Sequence, residues 1–191
     1  MKNKTLICLT SVLLFLSLNT VAQKTAPILP GAYQTAQYLP LLKNKRVGLF
    51  TNHTATVGKK HLIDTLLASG IQIQKVFTPE HGLRGTADAG EKTKDGIDEA
   101  TGVKIVSLYG KKYGPSEEDL KDVDVLLFDI QDVGSRFYTY ISSLQYYMEA
   151  AWANNKPLII LDRPNPNGHY VDGPVLEKPF SSFVGKQSIP T

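Results

Sequence analysis

The chain has 191 residues, of which 42% are hydrophobic and 20% charged, and its formal net charge is +3 at pH 7. That length suits one domain with a real core, and the composition excludes a disordered or collagen-like chain. Setting aside Lys2 and Lys4, which lie in an expected leader, basic and acidic residues nearly balance, so a nucleic-acid-binding surface gains no support.

Residues 1–22 have the layout of a secretory signal. Lys2 and Lys4 supply the positive start, Leu6 to Leu18 form a mainly apolar stretch, and Thr20-Val21-Ala22 places small residues before an expected cleavage at Gln23. The apolar stretch is too short to span a bilayer comfortably, so no stable membrane insertion is expected after cleavage; the alternative is an N-terminal anchor. The single cysteine, Cys8, sits inside this stretch, so the mature chain has no disulfide, thiol nucleophile or thiolate metal ligand. The expected location is the bacterial periplasm. Residues 23–44 form a polar leader with Pro27, Pro30 and Pro40, expected as a lead-in strand or short helix.

The first core strand is predicted at 45–52, running into Asn52 and His53. Residues 59–69 carry Leu62, Ile63, Leu66 and Leu67 at helical spacing, closed by Gly70. The alternating, β-branched stretch 71–77 predicts the second strand. It delivers Thr78-Pro79-Glu80-His81-Gly82-Leu83-Arg84-Gly85, a stiffened, glycine-jointed loop rich in reactive side chains. Residues 85–102 show no apolar period and predict a long surface loop or flap. A third strand is predicted at 103–108, ending at Tyr109, and Ser116 with Asp119 predicts a capping box for a short helix over 116–122. The near-continuous apolar run at 123–128 predicts a strand buried on both faces of a parallel sheet. It leads into Asp129-Ile130-Gln131-Asp132-Val133-Gly134-Ser135-Arg136. A helix over 137–154 is predicted with Ile141, Leu144, Met148, Ala151 and Trp152 as its apolar stripe. The fifth strand, 158–161, ends in Asp162-Arg163-Pro164-Asn165.

Strands alternating with helices or long crossings predict an α/β fold, a three-layer Rossmann-like domain with a mainly parallel sheet. In such sheets the ligand crevice lies beyond the carboxyl ends of the strands. That rule gathers Asn52, His53, Glu80, His81, Tyr109, Asp129, Asp132, Arg136, Asp162 and Arg163 on one rim.

Several carboxylates on a rim suit general acid–base work such as glycoside hydrolysis, which needs an acid at the leaving oxygen and a second group opposite. Glu80 is the better acid candidate, because Pro79 and Phe77 can desolvate it, opposed by His81 and Arg84 when these are charged. Asp129 and Asp132 are candidates for the second role; the alternative for each is a helix cap or an ion pair with Arg136. Arg136 and Arg163 suit bidentate binding of a ligand carboxylate, or structural ion pairs. Tyr138 and Tyr140 suit sugar stacking or core packing, and His53 a hydrogen bond to a sugar hydroxyl. The sequence has no G-x-G-x-x-G after the first strand, no P-loop lysine, no G-x-S-x-G elbow and no H-E-x-x-H, so neither a cofactor nor a metal is expected.

At these rim residues the sequence resembles the exo-β-N-acetylmuramidases of glycoside hydrolase family 171, formerly domain of unknown function 1343. The matching segments are Gly48-Leu49-Phe50-Thr51-Asn52, Phe77 through Gly85, Asp88-Ala89-Gly90, Ser107-Leu108-Tyr109-Gly110, Phe128 through Ile141, and Asp162-Arg163-Pro164-Asn165-Pro166 with Asp172-Gly173-Pro174. The resemblance implies a Rossmann-like catalytic-type domain at 45–176, facing a smaller C-terminal domain of which 177–191 would be only the start. It implies release of N-acetylmuramic acid from the non-reducing ends of peptidoglycan fragments. The family's proposed catalytic glutamate maps onto Glu80, and the sugar's lactyl carboxylate gives Arg136 or Arg163 a purpose. The other roles are expectations from the residues themselves and not from the resemblance: His81 with the catalytic group, and Asn52, His53, Arg84, Tyr109, Gln131, Arg136, Tyr138, Arg163 and Asn165 with substrate binding. The expected partners are muramic acid saccharides from peptidoglycan.

Overall fold

A computed structural model describes residues 27–85 and 94–190. The expected signal at 1–22 and the 88–90 motif lie outside the described residues. Six strands form one sheet: β1 (Arg46–Thr51), β4 (Gln72–Thr78), β5 (Gly96–Ile97), β6 (Lys104–Ser107), β7 (Val125–Asp129) and β8 (Leu158–Ile160), in the order β5-β6-β4-β1-β7-β8. All neighbours are parallel except the short edge pair β5–β6. Reading the five parallel strands in chain order gives 3-2-1-4-5, the doubly wound arrangement that reverses direction between β1 and β7.

Helices cover both faces. On one face lie α1 (Thr35–Leu42) and α2 (Leu62–Ala68), whose Tyr38, Leu42, Leu62, Ile63 and Leu66 pack with Val47, Leu49, Val76 and Leu127 of the sheet. On the other lie α3 (Glu117–Leu120) and α4 (Tyr140–Ala153), packed on Phe50, Phe77, Leu126 and Phe128. Strands β1, β4 and β7 are therefore buried on both sides, which is why they read as nearly unbroken apolar runs. Tyr147 of α4 knots this second core. It is fully buried, makes edge-on contacts with Phe50 and Phe77 at 5.0 and 5.7 Å, and donates its hydroxyl hydrogen to the Gly48 carbonyl at 2.8 Å.

The structure departs from the sequence reading in four places. The 85–102 stretch, expected as a surface loop, contributes the short edge strand β5. The leader contributes to the core: Ala32, Tyr38 and Leu42 are buried, and the Gly31 N–H donates to the Asp162 carbonyl at 2.6 Å. Burial pushes the Tyr38 phenol to about 12. Residues 59–61, expected as the first turn of a helix, instead belong to a two-stranded hairpin, β2 (Thr56–Val57) with β3 (Lys60–His61), and α2 starts at Leu62. The stripe of α4 is also rotated. Tyr140, Ser143, Tyr147 and Ala151 face inward, whereas Met148 is half exposed and Trp152 is 87% exposed. Ala151 and Leu144 of the expected stripe do meet the core, but two tyrosines with hydroxyl partners and a small serine complete the buried face, so hydrophobicity alone places its centre off to one side. The Ser116/Asp119 capping box stands as expected.

Candidate active site

Because β6, β4, β1, β7 and β8 are parallel, their carboxyl ends share one edge of the sheet, and the loops that follow them meet there. At the reversal between β1 and β7 the two loops are bolted together. Thr51 Oγ1 donates to the Asp129 carbonyl at 3.0 Å, and the Gln131 N–H donates to Thr54 Oγ1 at 3.0 Å. Thr54 in turn donates to Asn52 Oδ1 through its N–H (3.0 Å) and its hydroxyl (2.6 Å). Asn52 is fully buried, and its Nδ2 faces the Tyr140 hydroxyl without a partner at hydrogen-bonding geometry.

Glu80 is reached from two neighbouring loops. The Tyr109 phenol at the end of β6 hydrogen-bonds the Glu80 carboxylate; burial and then this bond push the phenol's pKa up. Tyr140 is also pushed up, first by burial, then by Tyr138 and finally by the Glu80 charge. Rings of Tyr138 and Tyr140 meet edge-on at 4.8 Å. Asn52, Glu80 and Tyr109, expected on the rim, are therefore brought together with Tyr138 and Tyr140, whereas the Gln131 side chain turns to the Asp132 and Pro164 carbonyls, at 2.8 and 2.9 Å. The turn carrying Glu80 is tight: the Gly82 N–H donates to the Pro79 carbonyl at 3.2 Å, and His81 adopts φ +69°. A positive φ is uncommon outside glycine, and such residues concentrate at functional sites. His53 is exposed, and its ring lies over Gly85, where an added Cβ would sit 2.8 Å from His53 Cγ.

Two hollows, of about 220 and 240 Å³, flank Asp132. The larger is lined by Asp132, Tyr140, Arg163 and Asn165, so Tyr140 joins it to the Glu80 cluster. The smaller is lined by Asp132, Arg136, Asn165, Asn167 and Tyr170. Asp132 Oδ1 accepts the Gly134 N–H at 2.7 Å, while Oδ2 is buried without a partner. Burial pushes this carboxyl up, opposed by backbone N–H groups including that of Ile141 in the first turn of α4. Gly134 is required here: its φ is +77°, and Asn165 Oδ1 lies only 2.1 Å from where a Cβ would stand.

The ionic side chains divide sharply. Asp129, expected as a candidate second catalytic group, is fully buried, and both its oxygens are taken by Arg163, at 2.5 and 2.8 Å. Arg163 also donates to the Thr56 carbonyl at 3.2 Å and is 7% exposed, so its fork is occupied rather than open to a carboxylate ligand. Burial pushes the Asp129 carboxyl up despite Arg163, which pulls it down. Arg84, expected to bind substrate, holds Asp98 at 3.1 and 2.7 Å and thereby ties the 79–85 loop to the segment before β6. Arg136 differs. Its bonds go to the carbonyls of Pro174, at 2.8 Å, and Ile189, and among the described residues it has no acidic partner.

The sequence reading missed His61. It ends β3 and caps α2, with Nε2 2.7 Å from the Asn52 carbonyl and Nδ1 accepting the Ile63 N–H at 3.3 Å. Its signal was an imidazole just before an apolar-periodic helix, a position where a side-chain acceptor is wanted.

Comparisons with known proteins place the chain in a family and match its fold. The family described as exo-β-N-acetylmuramidase NamZ, N-terminal, matches residues 47–191. A peptidoglycan β-N-acetylmuramidase NamZ from Bacillus subtilis (strain 168) is 50% identical over 156 residues, covering 80% of this chain and 38% of the relative. Two crystal structures of DUF1343 family proteins from Bacteroides fragilis NCTC 9343 superpose with a TM-score of 0.76 each, at 48% and 43% identity. They cover 86% and 84% of this chain, and 43% and 41% of their own. The chain thus spans about four-tenths of the length of these relatives. It belongs to the NamZ exo-β-N-acetylmuramidase family, of which it carries the N-terminal part.

Proposed function

We propose that the rim is one wall of the active site of an exported exo-β-N-acetylmuramidase that releases N-acetylmuramic acid from the non-reducing ends of peptidoglycan fragments. The observation that carries this reading is the Glu80 cluster: a carboxylate on a strained turn, hydrogen-bonded by Tyr109, at the ligand edge of the sheet in a muramidase family. Glu80 serves as the general acid at the leaving glycosidic oxygen. Asp132, with one buried unpartnered oxygen and a carboxyl raised by burial, is the nearer candidate for the second group, because Asp129 is consumed by Arg163. Arg136, which has no acidic partner among the described residues and lines a hollow with Asn165 and Asn167, receives the lactyl carboxylate. Arg163 instead holds Asp129 and shapes the adjoining wall. Export to the periplasm follows from the composition of residues 1–22.

The test compares chromogenic β-N-acetylmuramide, β-N-acetylglucosaminide and ester substrates. Release from the muramide by wild type, reduced about 10²- to 10⁴-fold in Glu80→Gln, is the expected outcome for loss of a general acid. Arg136→Ala should raise KM for the muramide and leave the glucosaminide, which lacks the lactyl group, unaffected. Ester cleavage without muramide release would contradict the reading. A second reading, a sugar-binding protein without hydrolysis, is favoured by the burial of Asp129, which removes one of the four rim carboxylates from chemistry. Saturable muramic acid binding with no release would support it.

A further inference from the structure

His61 stands at a junction of three elements: it pairs with Thr56 across the β2–β3 hairpin, opens α2, and lies beneath the loop after β1. Its two partners determine its chemical form. The Asn52 carbonyl can only accept, so Nε2 carries the hydrogen; the Ile63 N–H can only donate, so Nδ1 is bare. The ring is therefore neutral, and one side chain performs two tasks, tethering Asn52 and capping α2. The Asn52 tether reaches the site. Thr51, Asn52 and Thr54 join the loop after β1 to that after β7, and Asn52 Nδ2 faces Tyr140, which feels the Glu80 charge and lines the larger hollow.

We infer that His61 is a positioning residue: its bond to the Asn52 carbonyl holds the loop after β1, and with it the Asn52 side chain that faces Tyr140, in place at the rim. The use of that loop in catalysis rests on the muramidase reading, but the tether itself does not. Protonation would place a hydrogen on Nδ1 against the Ile63 N–H and end the cap. The charged and titratable groups acting on the ring are Arg84, which opposes its protonation, and Asp64 and Asp129, which favour it. Burial is the largest influence and pushes its pKa down.

The two tasks separate by substitution. Gln places its Nε2 where the histidine Nε2 stood and keeps the tether; Asn places its Oδ1 near the position of Nδ1 and keeps the cap. Thermal melts, muramide turnover and the NMR signal of the Asn52 side-chain amide are measured for wild type, His61→Gln and His61→Asn. Positioning requires a crossover. His61→Asn should melt near wild type yet lose about tenfold in kcat with KM little changed and shift the Asn52 amide signal. His61→Gln should melt several degrees lower, as expected for a lost cap, yet keep kcat and the wild-type amide signal. Wild type should also lose stability as pH falls from 6.5 toward the depressed folded value of His61, a step that both variants lack, while all three keep the Asp98 loss below 3.8. Activity and amide signal that follow stability across the three proteins would overturn the inference. If wild type releases no muramic acid, the muramidase reading fails, while the amide signal still decides the tether.

Discussion

Replacing Arg163 by methionine isolates the buried pair that props the rim. The substitution removes two hydrogen bonds to Asp129, at 2.5 and 2.8 Å, and a third to the Thr56 carbonyl, and strands a carboxylate that has no exposed surface. Breaking a buried ion pair from one side costs about 3–5 kcal/mol, against a total stability of roughly 5–15 kcal/mol for a typical domain. For a chain of this size that corresponds to a fall in melting temperature of about 10 °C. The pH dependence gives a sharper signature. Burial already raises the Asp129 carboxyl above its ordinary 3.8, and removing Arg163 removes the pull downward. A folded-state carboxyl held above its unfolded value binds its proton more tightly in the native protein. The Asp129 contribution to the variant's stability is then greatest in acid and falls as pH rises from 3.8 toward the folded value, by up to about 1.4 kcal/mol per pH unit. The penalty measured at pH 7 should therefore shrink at pH 5. Adding Asp129→Asn should recover part of it, since the stranded charge is gone. Urea unfolding followed by circular dichroism is the assay, because the only tryptophan, Trp152, is already exposed. A loss below about 1 kcal/mol, or one that grows toward acid, would refute the reasoning that the pair is buried and structural.

Gly85→Ala places a methyl group 2.8 Å from the His53 ring on backbone at φ +70°. It should cost about 1–2 kcal/mol from the left-handed backbone alone, more if the ring cannot move, read as a lowered melting temperature. Tyr147→Phe removes the 2.8 Å hydrogen bond to the Gly48 carbonyl and should destabilise by about 1–2 kcal/mol without touching the rim. Arg84→Ala should free the 79–85 loop from Asp98, and faster amide exchange at Leu83 than in wild type measures it. In wild type the Asp98 carboxyl is held down first by its bond to Arg84, so its contribution is present above pH 3.8 and lost as pH falls below. The Arg84→Ala variant should lack that acid-side loss.

The parallel strands were legible because burial on both faces writes itself as apolar runs, seen in 123–128 and again in β7. The rim followed from topology, since parallel strands send every loop to one edge. The hairpin at Thr56–His61 was not legible, because two-residue strands are too short to show a period. The α4 face was misread because Tyr140 and Tyr147 hide hydroxyl groups that a hydrophobicity pattern counts against burial, while Trp152, the most apolar choice, faces solvent. The roles of the arginines were beyond reach for another reason. Asp129 and Arg163 lie 34 positions apart, and only folding decides whether a guanidinium meets a carboxylate of its own chain or keeps its charge for a ligand.

The central claim is that the carboxyl-end rim of the sheet holds muramic acid. Titrating the isotope-labelled chain with N-acetylmuramic acid and following backbone amides tests it most directly. Shifts should concentrate at Asn52, Glu80, Tyr109, Asp132 and Arg136, and should weaken in Arg136→Ala. Saturating shifts at the opposite edge, around Lys45, Ile71 and Asp124, with the rim unmoved, would contradict it.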